Sequence, residues 1–280
     1  MSRVVVVTDS SANVPAHLAQ QLDIRVVPIL LALNGRTFRD GLDVTAQQVY
    51  QWLRTSKYVP TTSAPSVGDF LRVYAAAAQE ASDIVSIHLS PKLSATYKVA
   101  EAASQLVDNA RIRVIDSHTV AMGQGFVAVV AARAAAQGAD LEEVVARAEQ
   151  VSSKMNLLAV LDTLEYLHRG GRIGGATTVL GTLLQIKPVL YVTDGYVDLF
   201  ARPRTKTKAI RIMMEQLTEA AGAGSLHVAI FHADVPEEAE ALRRRIETDL
   251  ECDELYVTEM TPIMGAHTGP GVLGVVFYTE

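Results

Sequence analysis

The sequence predicts a two-domain α/β protein, with an N-terminal Rossmann-like domain built on a parallel sheet and a C-terminal α/β domain containing a mixed sheet. Three observations carry this reading. In the first half, short apolar runs repeatedly end in polar loops and pass into helical segments, the β-loop-α order that builds parallel sheets. In the second half, Asp194-Gly195 sits between two β-rich runs, a tight reversal that brings in antiparallel pairing. The chain has 280 residues, 49% of them hydrophobic and 6% aromatic, enough to fill two cores of ordinary size.

The valines at 4–7 read as a buried strand that meets the polar loop Thr8-Asp9-Ser10-Ser11-Ala12-Asn13, with a helix from about 15 to 21. Residues 24–31 read as a second strand. Thr45 caps a helix reaching 56, and a longer helix over 67–81 follows Pro65. The strand at 84–89 runs into Ser90-Pro91-Lys92-Leu93-Ser94-Ala95, with helical composition from 96 to 106. The strand at 111–115 meets Asp116-Ser117-His118 ahead of an alanine-rich helix over 122–137. Polar loops at successive strand ends put the ligand site at the carboxyl edge of the sheet. Gly138 to Asp140 form a pause, 141–151 a helix, and the domains are placed at 1–151 and 152–280. The second domain holds strands at 157–161, 226–231 and 274–278, a short helix at 179–184, and the hairpin 190–193/197–200.

The net charge of −6 and the lack of any lysine- or arginine-rich tract argue against nucleic acid, since Arg243-Arg244-Arg245 lies in an acidic helical pattern. The single cysteine, Cys252, excludes an internal disulfide and a cysteine zinc cage. No apolar stretch approaches the ~18 residues of a membrane span, and the 4–7 run meets Asp9 at once, so the expectation is a cytoplasmic protein without membrane insertion.

Four polar clusters stand out. Pro60-Thr61-Thr62-Ser63-Ala64-Pro65-Ser66 crowds four hydroxyls before a helix, and Ser94 lies near a helix start; each suits an oxyanion and each also suits an ordinary N-cap. His267-Thr268-Gly269-Pro270-Gly271 places an imidazole beside glycines that permit close backbone approach. Finally, Leu164 to Gly175 reads as a short helix ended by Gly170-Gly171, leaving Arg172 on a constrained turn where its planar fork suits an anion and where the position also suits a solvated arginine after an ordinary helix C-cap. Arg202 and Arg204 are further cations after the hairpin. This inventory has neutral donors and guanidinium groups but no paired acids, no metal-ligand array and no phosphate-loop lysine, and it binds a carboxylate better than it performs chemistry.

Taken in order, Thr8-Asp9-Ser10, Thr62-Ser63-Ala64-Pro65-Ser66, Leu93-Ser94-Ala95-Thr96-Tyr97, Asp116-Ser117, Leu164 to Ile173, Lys187-Pro188 and His267 to Gly271 resemble the DegV family from end to end. That group binds fatty acids and includes the carrier subunit of bacterial fatty acid kinase. The resemblance implies one long-chain fatty acid such as palmitate or oleate, held with its carboxylate near the domain junction, and no cofactor. It assigns Thr62, Ser94 and His267 to the lipid head group, and matches Arg172 and Arg204 to family arginines that would contact a phosphoryl group or partner. Two positions depart from the family pattern: Ala64, where Gln is frequent, and Ala95, where Gly is. Both hydroxyl donors remain.

The function this implies is a carrier without catalytic machinery of its own, presenting a carboxylate to the catalytic subunit of a fatty acid kinase for acyl phosphate formation. Energetics agree: at ~0.8 kcal/mol per methylene, a dozen methylenes contribute on the order of 10 kcal/mol before association costs. A reading from a different class makes the protein an acyl hydrolase with Ser94 as nucleophile and His267 as base. Against it, Ser94 lacks the Gly-x-Ser-x-Gly elbow.

Overall fold

A computed structural model describes residues 3–56, 60–182 and 186–280. The first strand, β1 (Val4–Asp9), is buried at every position, as consecutive valines covered on both faces of a sheet require. After it come α1 (Ala16–Gln21), β2 (Arg25–Val27), β3 (Leu30–Leu33), β4 (Arg36–Arg39), α2 (Ala46–Thr55), β5 (Thr61–Ser63) and α3 (Val67–Ala77). The first half continues through β6 (Asp83–His88), α4 (Thr96–Ser104), β7 (Arg111–Asp116), α5 (Met122–Ala136) and α6 (Leu141–Lys154). In the second half lie β8 (Asn156–Val160), α7 (Glu165–Arg169), β9 (Val189–Thr193), β10 (Tyr196–Ala201), α8 (Lys206–Ala221), β11 (Leu226–His232), α9 (Pro236–Asp249), β12 (Glu254–Glu259), α10 (Pro262–Thr268) and β13 (Leu273–Thr279).

Strands β2, β1, β6 and β7 form a wholly parallel sheet in that order. The chain changes direction across the sheet between β1 and β6, so the crevice beyond their carboxyl ends is open to a ligand. The second sheet runs β10-β9-β8-β13-β11-β12; only β11 and β12 pair in parallel, which makes it mixed. Both sheets agree with the fold class read from the sequence. Helix α5 packs against β1 and β6 and also against β13, so it lies between the sheets, and every residue from Met122 to Ala132 is buried accordingly. The largest core cluster runs through it, from Val6 and Val85 by way of Phe126 to Val276 and Tyr278.

The strand expected over 24–31 is two strands in different sheets. Pro28 has no N–H to continue the ladder, so β2 stays in the parallel sheet while β3 turns into a separate antiparallel sheet of order β4-β3-β5. The hydroxyl-rich stretch before α3 is likewise not a loop throughout, because Thr61–Ser63 pairs with β3. Ser66 is the one hydroxyl of that group spent on a cap, in a capping box with Asp69. Of the helix expected over 179–184, residues through Thr182 belong to a 3-10 stretch, Gly174–Thr182, and residues 183–184 lie outside the described residues. Among the described residues no helix is long and apolar enough to cross a membrane.

Candidate functional site

Thr62 is placed by register: it pairs with Leu31 on the outer strand of the small sheet, a position a three-residue strand can hold only because β3 anchors it. His267 arrives from the far end of the chain on the last turn of α10. Thr62 Oγ1 and His267 Nε2 lie 2.6 Å apart, a hydrogen bond joining residues 205 apart in sequence. Burial, and then the charge of Arg172, push the imidazole down to about 4, so His267 is neutral at physiological pH. Gly170 closes over its other side: a Cβ there would stand 2.6 Å from Nδ1.

Ser94 sits in the turn before α4, its Oγ 2.9 Å from the buried Thr96 Oγ1 and accepting from the Thr96 amide. Arg172 leaves the α7 helix by the turn expected at the glycines, with Gly171 at φ +70°, a conformation a side chain would strain. Its guanidinium is braced by backbone: Nε donates to the Leu93 carbonyl at 3.0 Å and Nη1 to the Gly170 carbonyl at 2.5 Å. Arg172 therefore links the Ser94 loop to the turn that holds His267, and among the described residues no carboxylate pairs with it. Arg204 is exposed between β10 and α8 and does not line the same cavity, nor does Arg202.

These groups meet at a cavity of about 390 Å³ between the two domains. Thr62, Ser94, Arg172 and His267 all line it, and so do Ala64 and Ala95, the positions that depart from the family pattern. The remaining wall is mostly aliphatic: Ile29 and Leu89 from the N-terminal side, Leu157, Leu190, Phe231 and Met260 from the other. Leu89 follows β6, while Val120 and Ala121 lie beyond β7, so the cavity occupies the carboxyl edge anticipated for the parallel sheet. Among the described residues, Arg172 is the one formally charged side chain in this lining. Such a chamber accepts a long apolar chain and orients one anionic end.

The hydrolase geometry is not assembled. Ser94 is bonded to Thr96 and His267 to Thr62, with no hydrogen bond between Ser94 and His267. Sequence reasoning also missed several supporting groups: Thr96, the Leu93 carbonyl and Gly170. Thr96 alone had a local signal, two residues from Ser94 at the start of a helical run; the others depend on contacts made after folding.

Asp9, first in the Thr8-Asp9-Ser10 motif to carry charge, does not line this cavity. Its carboxylate holds His88 Nδ1 at 2.7 Å and Gln124 Nε2 at 3.0 Å; His88 Nε2 in turn meets Ser86 Oγ at 2.7 Å. Asp9, Ser86 and His88 are fully buried, and this serine-histidine-aspartate chain ties β1, β6 and α5 together.

Residues 3–280 match the DegV family profile, a family described as uncharacterised. A DegV domain-containing protein of Streptomyces coelicolor is 37% identical over 279 residues, covering 99% of both chains. Protein DegV of Bacillus subtilis is 31% identical over 97% of this chain and 98% of its own. Among solved structures, a fatty-acid-binding DegV family protein of Thermus thermophilus superposes with a TM-score of 0.95 at 35% identity, over 99% of this chain and 100% of that one. The Bacillus subtilis DegV structure, described as a fatty acid binding protein, gives 0.93 at 29% identity with both chains covered completely. With the family profile matched over residues 3–280 and relatives above 30% identity over nearly the whole of both chains, the chain belongs to the DegV family.

Proposed function

We propose that the protein binds one long-chain fatty acid, such as palmitate or oleate, and presents its carboxylate to the catalytic subunit of a fatty acid kinase in the cytoplasm. The observation that carries the lipid half is the polarity of the cavity: aliphatic walls from both domains, and hydroxyl, imidazole and guanidinium groups gathered where Thr62, Ser94, His267 and Arg172 meet. The relatives described as fatty acid binding add to it. In the tautomer protonated on Nε2, neutral His267 donates to Thr62 Oγ1 and frees the Thr62 proton for the carboxylate; Ser94 supplies a second donor. The chain contributes most of the affinity and these bonds fix its direction.

Delivery rests on Arg172 and Arg204. Arg172 keeps donors beyond the two used on backbone carbonyls and lies beside the carboxylate position, suited to a phosphoryl group, while exposed Arg204 suits a partner surface. Two measurements test the proposal together. Delipidated protein titrated with oleate should take up about one equivalent, and Arg172→Ala should retain most of that binding. With the cognate kinase and ATP, the same variant should lose acyl phosphate formation by at least about tenfold, or ~1.4 kcal/mol. Normal turnover by Arg172→Ala would remove the arginine from delivery; failure of wild type to take up oleate would remove the lipid.

A further inference from the structure

The sheet side of the chamber is shaped by one row of paired residues. Leu190 of β9 pairs with Ala159 of β8, Ala159 with Gly274 of β13, and Gly274 with Phe231 of β11, so the four stand side by side on the same face of the six-stranded sheet. Leu190, Ala159 and Phe231 all line the cavity. The two middle positions carry a single methyl between them. On one side of the row Leu157 pairs with Val276, and on the other Leu161 and Val272 close it, so the floor is dished at Ala159 and Gly274. None of the groups assigned to the head group belongs to this sheet; they come from β5, the turn before α4, the turn after α7 and α10.

Phe231 lies down into that dish. A Cβ on Gly274 would stand 2.2 Å from its Cζ and 2.6 Å from its Cε2, so the edge of the ring occupies the space that any other residue at 274 would fill. Gly274 is not among the residues of positive φ, and the reason for a glycine in the middle of a strand is this close approach. Strand side chains ordinarily stand roughly perpendicular to the sheet, which at 231 would aim the ring into the chamber. The missing Cβ lets it lie along the sheet instead, and the chamber is deeper by the difference.

We propose that Phe231, laid over Gly274, sets the longest acyl chain that the chamber accepts; this rests on the fatty-acid reading above and adds to it which chain lengths bind. With a methyl at 274 the ring must rise into the chamber by on the order of an ångström to restore carbon contacts of ~3.5 Å. Each methylene thereby excluded should cost about fourfold in affinity. Delipidated full-length protein is offered an equimolar mixture of myristate, palmitate, stearate and arachidate, and the bound acids are extracted and quantified by mass spectrometry. Relative to wild type, Gly274→Ala should lower the ratio of stearate to myristate at least about fourfold. Phe231→Leu, which removes the ring, should shift the other way and raise the ratio of arachidate to palmitate at least about fourfold. Thr62→Val, at the head group, should weaken uptake of all four acids alike. Phe231→Leu carries the test by itself if Gly274→Ala, whose Cβ would also lie 2.7 Å from the Leu158 carbonyl oxygen, does not fold. Wild-type uptake with both ratios unchanged in the folded Phe231 and Gly274 variants would overturn the role of the ring and leave the lipid reading standing; no uptake of any of the four acids by wild type would overturn both.

Discussion

In the proposed complex Thr62 and Ser94 each offer one hydroxyl to the head group, and each is already bonded to another side chain, Thr62 to His267 and Ser94 to Thr96. Removing either donor leaves a charged acceptor short of one bond, so Thr62→Val and Ser94→Ala should each weaken oleate binding by roughly 1 to 3 kcal/mol in calorimetry. His267 makes a different prediction. Its folded value of about 4 lies below the ordinary 6.5, so its contribution to stability is complete above about pH 6.5 and is lost as pH falls toward 4. Over that window the loss is of the order of 3 kcal/mol. Asp40, raised by burial from 3.8 to about 6, acts oppositely, since its contribution is complete below about 3.8 and lost as pH rises through 6. Denaturant unfolding measured from pH 4 to 7 should therefore show His267→Gln losing less stability than wild type as pH falls. The residue types at the head group were legible because hydroxyls, an imidazole and a guanidinium declare their chemistry locally. Their pairing was not, because nothing in a linear pattern joins Thr62 to His267 or Arg172 to the Leu93 carbonyl.

At the scale of elements, the turn after α7 does two jobs with adjacent glycines. Gly171 supplies the left-handed conformation with open space around it, while Gly170 has ordinary dihedrals but abuts the His267 ring. Gly171→Ala should cost about 1 kcal/mol of stability with little change in lipid affinity. Gly170→Ala drives a methyl into His267 Nδ1 and should weaken oleate binding at least about tenfold; equal effects of the two substitutions on affinity would contradict this division. The elements read from the sequence were those with strong patterns: the valine strand, the Asp-Gly hairpin, whose Asp194 and Gly195 both take positive φ, and the buried α5. Helix α8 was passed over although Ala209, Met213 and Leu217 mark a helical face at four-residue spacing. β4 and β5 carried no such mark, because Arg36–Arg39 and Thr61–Ser63 are short, polar and stabilised by their partners.

At the scale of the whole molecule, the two larger sheets share one core through α5 and leave a largely aliphatic chamber at their junction, so the proposed lipid site exists only when both halves are folded. That sharing also explains why the Thr8-Asp9-Ser10 motif lies away from the lipid site: Asp9 secures β1 to β6 and α5, the frame on which the cavity wall is set. The central claim is that the chamber is filled by a fatty acid, since an empty apolar cavity forfeits the dispersion contacts of its walls. Native mass spectrometry of the protein purified from a bacterial host, with the bound lipid extracted and identified, tests it most directly. The account predicts a dominant species carrying one long-chain fatty acid; a dominant apo species that acquires no mass when palmitate or oleate is added would contradict it.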